Sequence, residues 1–234
     1  MEDIGMGLSK KHERFLSVET DKNGNKIFSF NFAAGLETDL VEVYRLPPAE
    51  TAKARKLYKQ TYQKKKGGAK EVPTHPLMGF LAHQNNLAHK EGRKGPLDDV
   101  LSEDDIQKAR QNIIPQGFEI HHLQPISLGG KNSFDNLLLL SQGVHKAIHR
   151  CMDCVLAYVP YRTTMDFELP DGQKVFIRLP KLQKCLTDEC GLFPTDLMQD
   201  ASQNKETEEE ALREKSVKTF MRCYAIRRTG SSNE

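Results

Sequence analysis

The sequence predicts an α+β fold, on three observations. Phe28, Phe30 and Phe32 alternate with Ser29 and Asn31, the period of a half-buried strand. Three later segments carry helix start and stop signals instead of alternation. Between Phe118 and Arg150 the pattern then runs strand, turn, strand, helix within one short stretch.

The elements follow in order. "DKNGNK" is an Asn-Gly turn that feeds a strand from Lys26 to Phe32. "LVEVYRL" is a second strand candidate. "LPPAETAKARKLYKQTYQKKKGG" reads as a helix, with two prolines at its start and two glycines at its stop. Between Thr51 and Lys70 it carries Lys53, Arg55, Lys56, Lys59, Lys64, Lys65, Lys66 and Lys70, and no acid. A second helix is expected from about Pro76 to Lys90, with Leu77, Phe80, Leu81 and Leu87 near helical period. "LSEDDIQKARQNII" is a third, where Ser102 and Asp105 resemble a capping box. Gly117 stops that segment. "GFEIHHL" is then a short strand, "SLGGKN" a turn that uses the backbone freedom of Gly129 and Gly130, and "NLLLL" the returning strand. Ser141 is a natural N-cap for the helix "SQGVHKAIHRCM". "TTMDFELPDGQKVFIRLP" reads as a β-hairpin turned at Asp171-Gly172, and a last helix is expected from about Glu206 to Ile226.

Composition excludes several classes. The 234 residues suit one domain, or one domain with an extension. A hydrophobic fraction of 38%, a charged fraction of 28% and no Trp describe a polar fold with a modest core rather than a disordered chain. No run approaches the roughly 18 apolar residues of a membrane span. "MEDIGMGLSKKHERF" has no hydrophobic core of a signal peptide, so a protein made in the cytoplasm is expected, with any export by a route other than Sec. The five cysteines are an odd count, which argues against a disulfide scaffold. Net charge is only +2, so the total does not call for nucleic acid, but its distribution does. The basic helical segment offers a surface for phosphate, and Tyr58 and Tyr62, i and i+4 within it, could lie against sugar or stack.

Four of the eight histidines, His121, His122, His145 and His149, fall between Phe118 and Arg150. His145 and His149 are four apart on the expected helix, so both project from one face with Cβ atoms about 5–6 Å apart. Two imidazoles so placed can hold one metal ion; a third ligand must come from elsewhere, and the His121-His122 pair is the nearest candidate. Successive side chains of a strand point to opposite sides, so only one of that pair faces the metal and the other is free for a different task.

Glu119, His121, His122, Pro125, Ile126, Ser127, Gly129, Gly130, Asn136, His145 and His149 together resemble the HNH, or ββα-metal, endonuclease motif. Within that group the stretch is most similar to DNase toxins of the colicin and pyocin type. The resemblance implies a His-Me finger core, which the flanking helices and the C-terminal hairpin plus helix read above would complete into an α+β domain. It implies that His121, His145 and His149 ligate one divalent metal (Zn, Ni, Mg or Mn). It makes His122 the general base that activates water against a phosphodiester, Asn136 the residue that constrains the loop and aims the His122 ring, and Glu119 a supporting residue paired with a basic group. The DNA-facing residues would be Lys53, Arg55, Lys56, Lys59, Lys64, Lys65, Lys66 and Arg150, and Arg110 is a second candidate for a phosphate-contacting arginine. The segments would be 1–48, β-containing; 49–115, helical and basic; 116–152, the HNH core; and 153–234, a hairpin and helix extension of one nuclease unit.

The function this implies is a metal-dependent, largely nonspecific DNA endonuclease. Its role would be that of an antibacterial toxin acting in the cytoplasm of a target cell, restrained in the producer by a cognate immunity protein. Colicin-type nucleases end just after the motif, whereas this chain runs on from Arg150 to Glu234, so a phage or restriction-type nuclease is the alternative role. A noncatalytic, metal-stabilised binding module is the alternative class. Cys151, Cys154, Cys185 and Cys190 could form a second, structural zinc site, against the reading of buried free thiols.

Overall fold

In the computed structural model the described residues are 8, 12–61, 63–67, 70–159, 161, 174–194 and 197–198, with side chains undescribed over 62–71. The chain divides into two compact units, Met1–Phe193 and Pro194–Glu234. Of the second only a turn is described, where the Leu197 amide donates to the Pro194 carbonyl. The expected helix over 206–226 lies outside the described residues, as does the Asp171-Gly172 turn. Everything below concerns the first unit, which is α+β.

Its first sheet begins where the Asn-Gly signal places it. Strands β1 (Leu16–Thr20) and β2 (Lys26–Phe30) pair antiparallel. The Asp21 carboxylate fixes their turn, accepting from the Asn23 and Asn25 amides and from the Asn25 side chain. The strand stops at Phe30 rather than Phe32, because Asn31–Ala33 turns into a short 3₁₀ helix. That turn carries Phe32 onto Phe193, 4.5 Å between ring centroids. β3 (Thr38–Glu42) comes from the "LVEVYRL" region but starts earlier than its apolar residues suggest. The sheet is completed from far along the chain. Val175–Pro180 (β8), the second strand of the expected hairpin, inserts parallel to β2 and antiparallel to β3. Its Val175, Ile177 and Leu179 are buried at strand period.

Helix α1 (Pro48–Lys59) starts at its prolines but ends well before the glycines. The Thr61 hydroxyl donates to the Tyr58 carbonyl at its end. Gln63–Gly67 (β4) and Lys70–Thr74 (β5) then form an antiparallel hairpin. Lys64, Lys65 and Lys66 therefore lie on a strand and not on the predicted basic helix. Gly67-Gly68 punctuates either structure, and a run of lysines has no apolar period to choose between them.

Helices α2 (Pro76–Lys90) and α3 (Glu103–Ala109) stand where their caps predict. The Ser102 hydroxyl accepts from the Asp105 amide. α2 is capped by His75, whose Nδ1 accepts from the Leu77 amide at 3.1 Å. Its Nε2 faces the Thr61 hydroxyl, also at 3.1 Å. Burial pushes the His75 pKa down to about 4, and His122 nearby adds to this. The folded chain therefore holds His75 neutral where the unfolded chain, with a pKa near 6.5, takes a proton. Its stability contribution is complete above pH 6.5 and is lost as pH falls from 6.5 through 4. A His75→Asn protein keeps a capping acceptor without the titration. Wild type should lose about 2 kcal/mol more than this variant between pH 7 and pH 4, allowing for solvent screening, in denaturant melts at the two pH values.

The second sheet positions the site. β6 (Phe118–His122) pairs antiparallel with β7 (Leu137–Ser141), and Cys185–Leu186 (β9) adds parallel to β7. α4 (Gln142–Leu156) follows β7 directly. Leu137 to Leu140 are all buried, which requires cover on both faces. Ile120, Leu137 and Leu139 pack with Leu77, Leu81 and Ile106 of α2 and α3. On the other side lies α4, with Val144, Ala147 and Ile148 buried. Strand alternation then sends Glu119 and His121 toward α4 and His122 toward the helical layer.

Candidate metal centre

Three histidines meet where β6 faces α4. The ring centroids of His121, His145 and His149 lie 4.6–5.0 Å apart. One ligand atom from each can be chosen so that all lie within 4.8 Å of one another. The Nε2 atoms of His145 and His149 are 3.1 Å apart. The His145 Nδ1 is 2.7 Å from a carboxylate oxygen of Glu119. That contact makes Nδ1 the protonated nitrogen and leaves the Nε2 lone pair turned to the centre. Burial lowers the His145 pKa, His149 lowers it further, and Glu119 opposes both. Burial, followed by His149 and His145, pushes His121 down to about 2, so it is a neutral imidazole at pH 7.

The His121 Nε2 is buried and has no hydrogen-bond partner. An orphaned buried nitrogen costs about 1–3 kcal/mol, and a cation at the centre of the trio would satisfy it. The donor set fits a divalent metal: three imidazole nitrogens, one ring oriented by an outer carboxylate. Glu119 thus takes its basic partner from inside the centre. Replacing it weakens the basicity and the orientation of His145 together. A Glu119→Gln protein should bind Zn²⁺ about 10–100-fold more weakly by calorimetric titration, with the fold intact.

His122 does not join this group. Its Nε2 is 2.7 Å from the Asn132 side-chain oxygen. The Tyr58 ring of α1 meets it edge-on, 4.4 Å between centroids. Burial lowers its pKa, and the Asn132 hydrogen bond opposes this. Asn136, expected to aim the ring, does a different part of the task. Its side-chain oxygen accepts from the Gln124 amide, and its nitrogen donates to the Gln124 and Lys131 carbonyls. It ties the two ends of the β6–β7 loop, and Asn132 within that loop meets His122. Gly129 has φ +82, and a Cβ on Gly130 would stand 1.8 Å from the Gln124 carbonyl oxygen, so the loop requires glycine at both places. An Asn136→Ala protein loses all three side-chain hydrogen bonds. It should be destabilised by about 2–3 kcal/mol, read from the denaturation midpoint at unchanged slope.

The other candidate residues are dispersed. Lys53, Arg55, Lys56 and Lys59 are carried on α1, where Lys53 and Arg55 lie in the same turn. Arg150 is half-buried on α4. Arg110 is held by Gln107 and Asn86. Tyr58 is turned inward onto His122, not outward to a ligand, and Tyr62 lies outside the described residues. The cysteines form no second centre: among the described residues the three histidines are the one group of this kind. Cys151, Cys154 and Cys185 are buried and form no disulfide, and burial pushes the Cys151 and Cys185 thiols up to about 12. Ser141 does not cap α4 through its side chain, which instead donates to Asp188. Asn132 and Tyr58 are the neighbours of His122 that sequence reasoning missed or misplaced. Asn132 sits in a polar turn with no pattern to mark it.

No helix among the described residues is long and apolar enough to cross a membrane. No family model, curated protein or solved structure matches the chain. The fold and the site together define an α+β protein with a three-histidine centre able to hold a metal ion.

Proposed function

We propose that the protein is a metal-dependent, largely nonspecific DNA endonuclease built on an HNH core. One observation carries this reading: His121, His145 and His149 converge, while His122, the chain neighbour of His121, is held outside them with one nitrogen committed to Asn132. A purely structural metal site needs the first arrangement and has no use for the second.

A divalent ion held by the three imidazoles would supply charge stabilisation to the attacked phosphate and the leaving 3′ oxygen. The chain's own groups supply the proton chemistry. The His122 Nε2 donates to the Asn132 oxygen, so its Nδ1 keeps the lone pair. Burial keeps the ring neutral at pH 7, ready to take a proton from water. Tyr58 closes one side of the ring, which restricts its rotation. Three nitrogen ligands favour Zn²⁺ or Ni²⁺ in affinity, with Mg²⁺ or Mn²⁺ as the competing cofactors.

The test is a supercoiled-plasmid nicking assay with each of these metals, with and without EDTA. Nicking that EDTA stops is the expected result. Plasmid left intact under every divalent metal would sink the enzyme reading and leave a binding module. We place the nuclease among antibacterial toxins or effectors on its resemblance to the colicin and pyocin DNases, with a cognate immunity protein as partner. Expression in a bacterium should then be toxic and be relieved by the neighbouring gene, whereas a phage or restriction-type nuclease would show no such relief.

A further inference from the structure

A cleft of about 550 Å³ lies between α1, the β6–β7 loop and the C-terminal end of α4. Arg45, Arg55, Lys56 and Lys59 line it, and among the described residues no carboxylate does. Four cations around one concavity repel one another unless an anion or solvent screens them. The Arg45 guanidinium lies over the Tyr161 ring, 4.3 Å from its centroid, while Tyr161 remains 44% exposed. Basic side chains with an open aromatic face fit a nucleic-acid strand, whose phosphates take the charge and whose bases stack.

The walls of the cleft are continuous with the elements of the site. One wall is α1, which carries Arg55, Lys56 and Lys59 on either side of Tyr58, the residue against His122. A second is the β6–β7 loop at Ser127, whose carbonyl accepts from the Leu46 amide. The third is Leu156 at the far end of α4. From His149 to Leu156 the helix rises about 10 Å, which matches about three nucleotides at the ~3.4 Å rise of a duplex strand. Lys53, on the same helix, does not line the cleft.

We propose that this cleft is a second substrate-contact site, holding a DNA strand a few nucleotides from the bond that is cut. Arg55, Lys56 and Lys59 meet its phosphates, and Tyr161, backed by Arg45, stacks on one of its bases. The proposal rests on the nuclease reading for its substrate and makes binding separable from cutting.

The experiment is binding of a fluorescein-labelled single-stranded oligonucleotide by fluorescence anisotropy, in EDTA so that nothing is cut. Arg55 and Lys56 are absent from the buried core, so their replacement leaves it untouched. An Arg55→Gln/Lys56→Gln protein should bind at least about tenfold more weakly at low salt. The slope of log affinity against log salt should become shallower by about 1.4, or about 0.7 for each phosphate that the variant no longer neutralises. A Tyr161→Ala protein should lose about tenfold with its salt slope unchanged, because stacking releases no counterions. Unchanged affinity and slope in the double variant overturn the proposal. Plasmid nicking by the same proteins keeps the two readings apart. A double variant that binds and nicks like wild type removes the cleft and leaves the nuclease. A wild type that never nicks, yet loses oligonucleotide through these residues, keeps the cleft as a binding site and removes the nuclease.

Discussion

A His122→Ala protein is expected to lose phosphodiester cleavage by about 10²–10⁴-fold, the range for removing a positioned general base, while binding metal as wild type does. The dissociation of the two effects is the informative part. His122 stands one residue from a proposed ligand, yet its ring contacts are Tyr58 and Asn132, not the trio. Removing it leaves three imidazoles and the Glu119 contact in place. The imidazole is only 7% exposed, so its loss leaves a small void against Tyr58 and some loss of stability. Circular dichroism and a melt at the assay temperature establish that the variant is folded before rates are compared. Single-turnover cleavage and Zn²⁺ titration are then measured on one preparation. Cleavage at the wild-type rate would remove His122 as the base. A matching loss of metal affinity would mean that the adjacent histidines do not divide their tasks. An Asn132→Ala protein should show a smaller fall in rate, since it frees the ring without removing it.

The centre was legible in the sequence because its parts are local. His145 and His149 are ordered by helical period, and His121 and His122 by strand period. Asn136 was marked as a loop-constraining residue only by the resemblance to the HNH motif, since by pattern alone it reads as the start of the returning strand. Its partners were not legible, because three hydrogen bonds to backbone groups leave no mark on residue types. Two kinds of feature were hidden. The first is pairing over long sequence separation: β8 pairs in parallel with β2 from the far end of the described chain, and no local pattern carries that information. The second is structure without an apolar period. The lysine run reads as a helix while its neighbours do, yet the backbone there is a strand. The cleft belongs to the first kind, since Arg45, Arg55, Ser127 and Tyr161 come together only in the folded chain.

A His149→Ala protein should in turn lose metal affinity by more than about 100-fold, beyond what loss of an outer-sphere partner costs. The reason lies in the unequal surroundings of the three rings. His121 is buried with an unpartnered Nε2, and His145 is fixed by Glu119, so these two are already aimed by the fold. His149 is the exposed member of the trio, and its ring must close the site from the solvent side. Two imidazoles alone leave a divalent ion dependent on water for its remaining positions. Because His149 is exposed, the metal-free variant should match metal-free wild type within about 0.5 kcal/mol. The difference appears only when metal is added. At a thousandfold excess over its dissociation constant, Zn²⁺ should stabilise wild type by about 4 kcal/mol and should raise its melting temperature, whereas the variant, at least about 100-fold weaker, should gain no more than about 1.4 kcal/mol at the same concentration. A variant that responds like wild type would mean that the ion binds elsewhere. The convergence of the three rings would then be a packing feature, and the orphaned His121 nitrogen would remain an uncompensated cost of the fold.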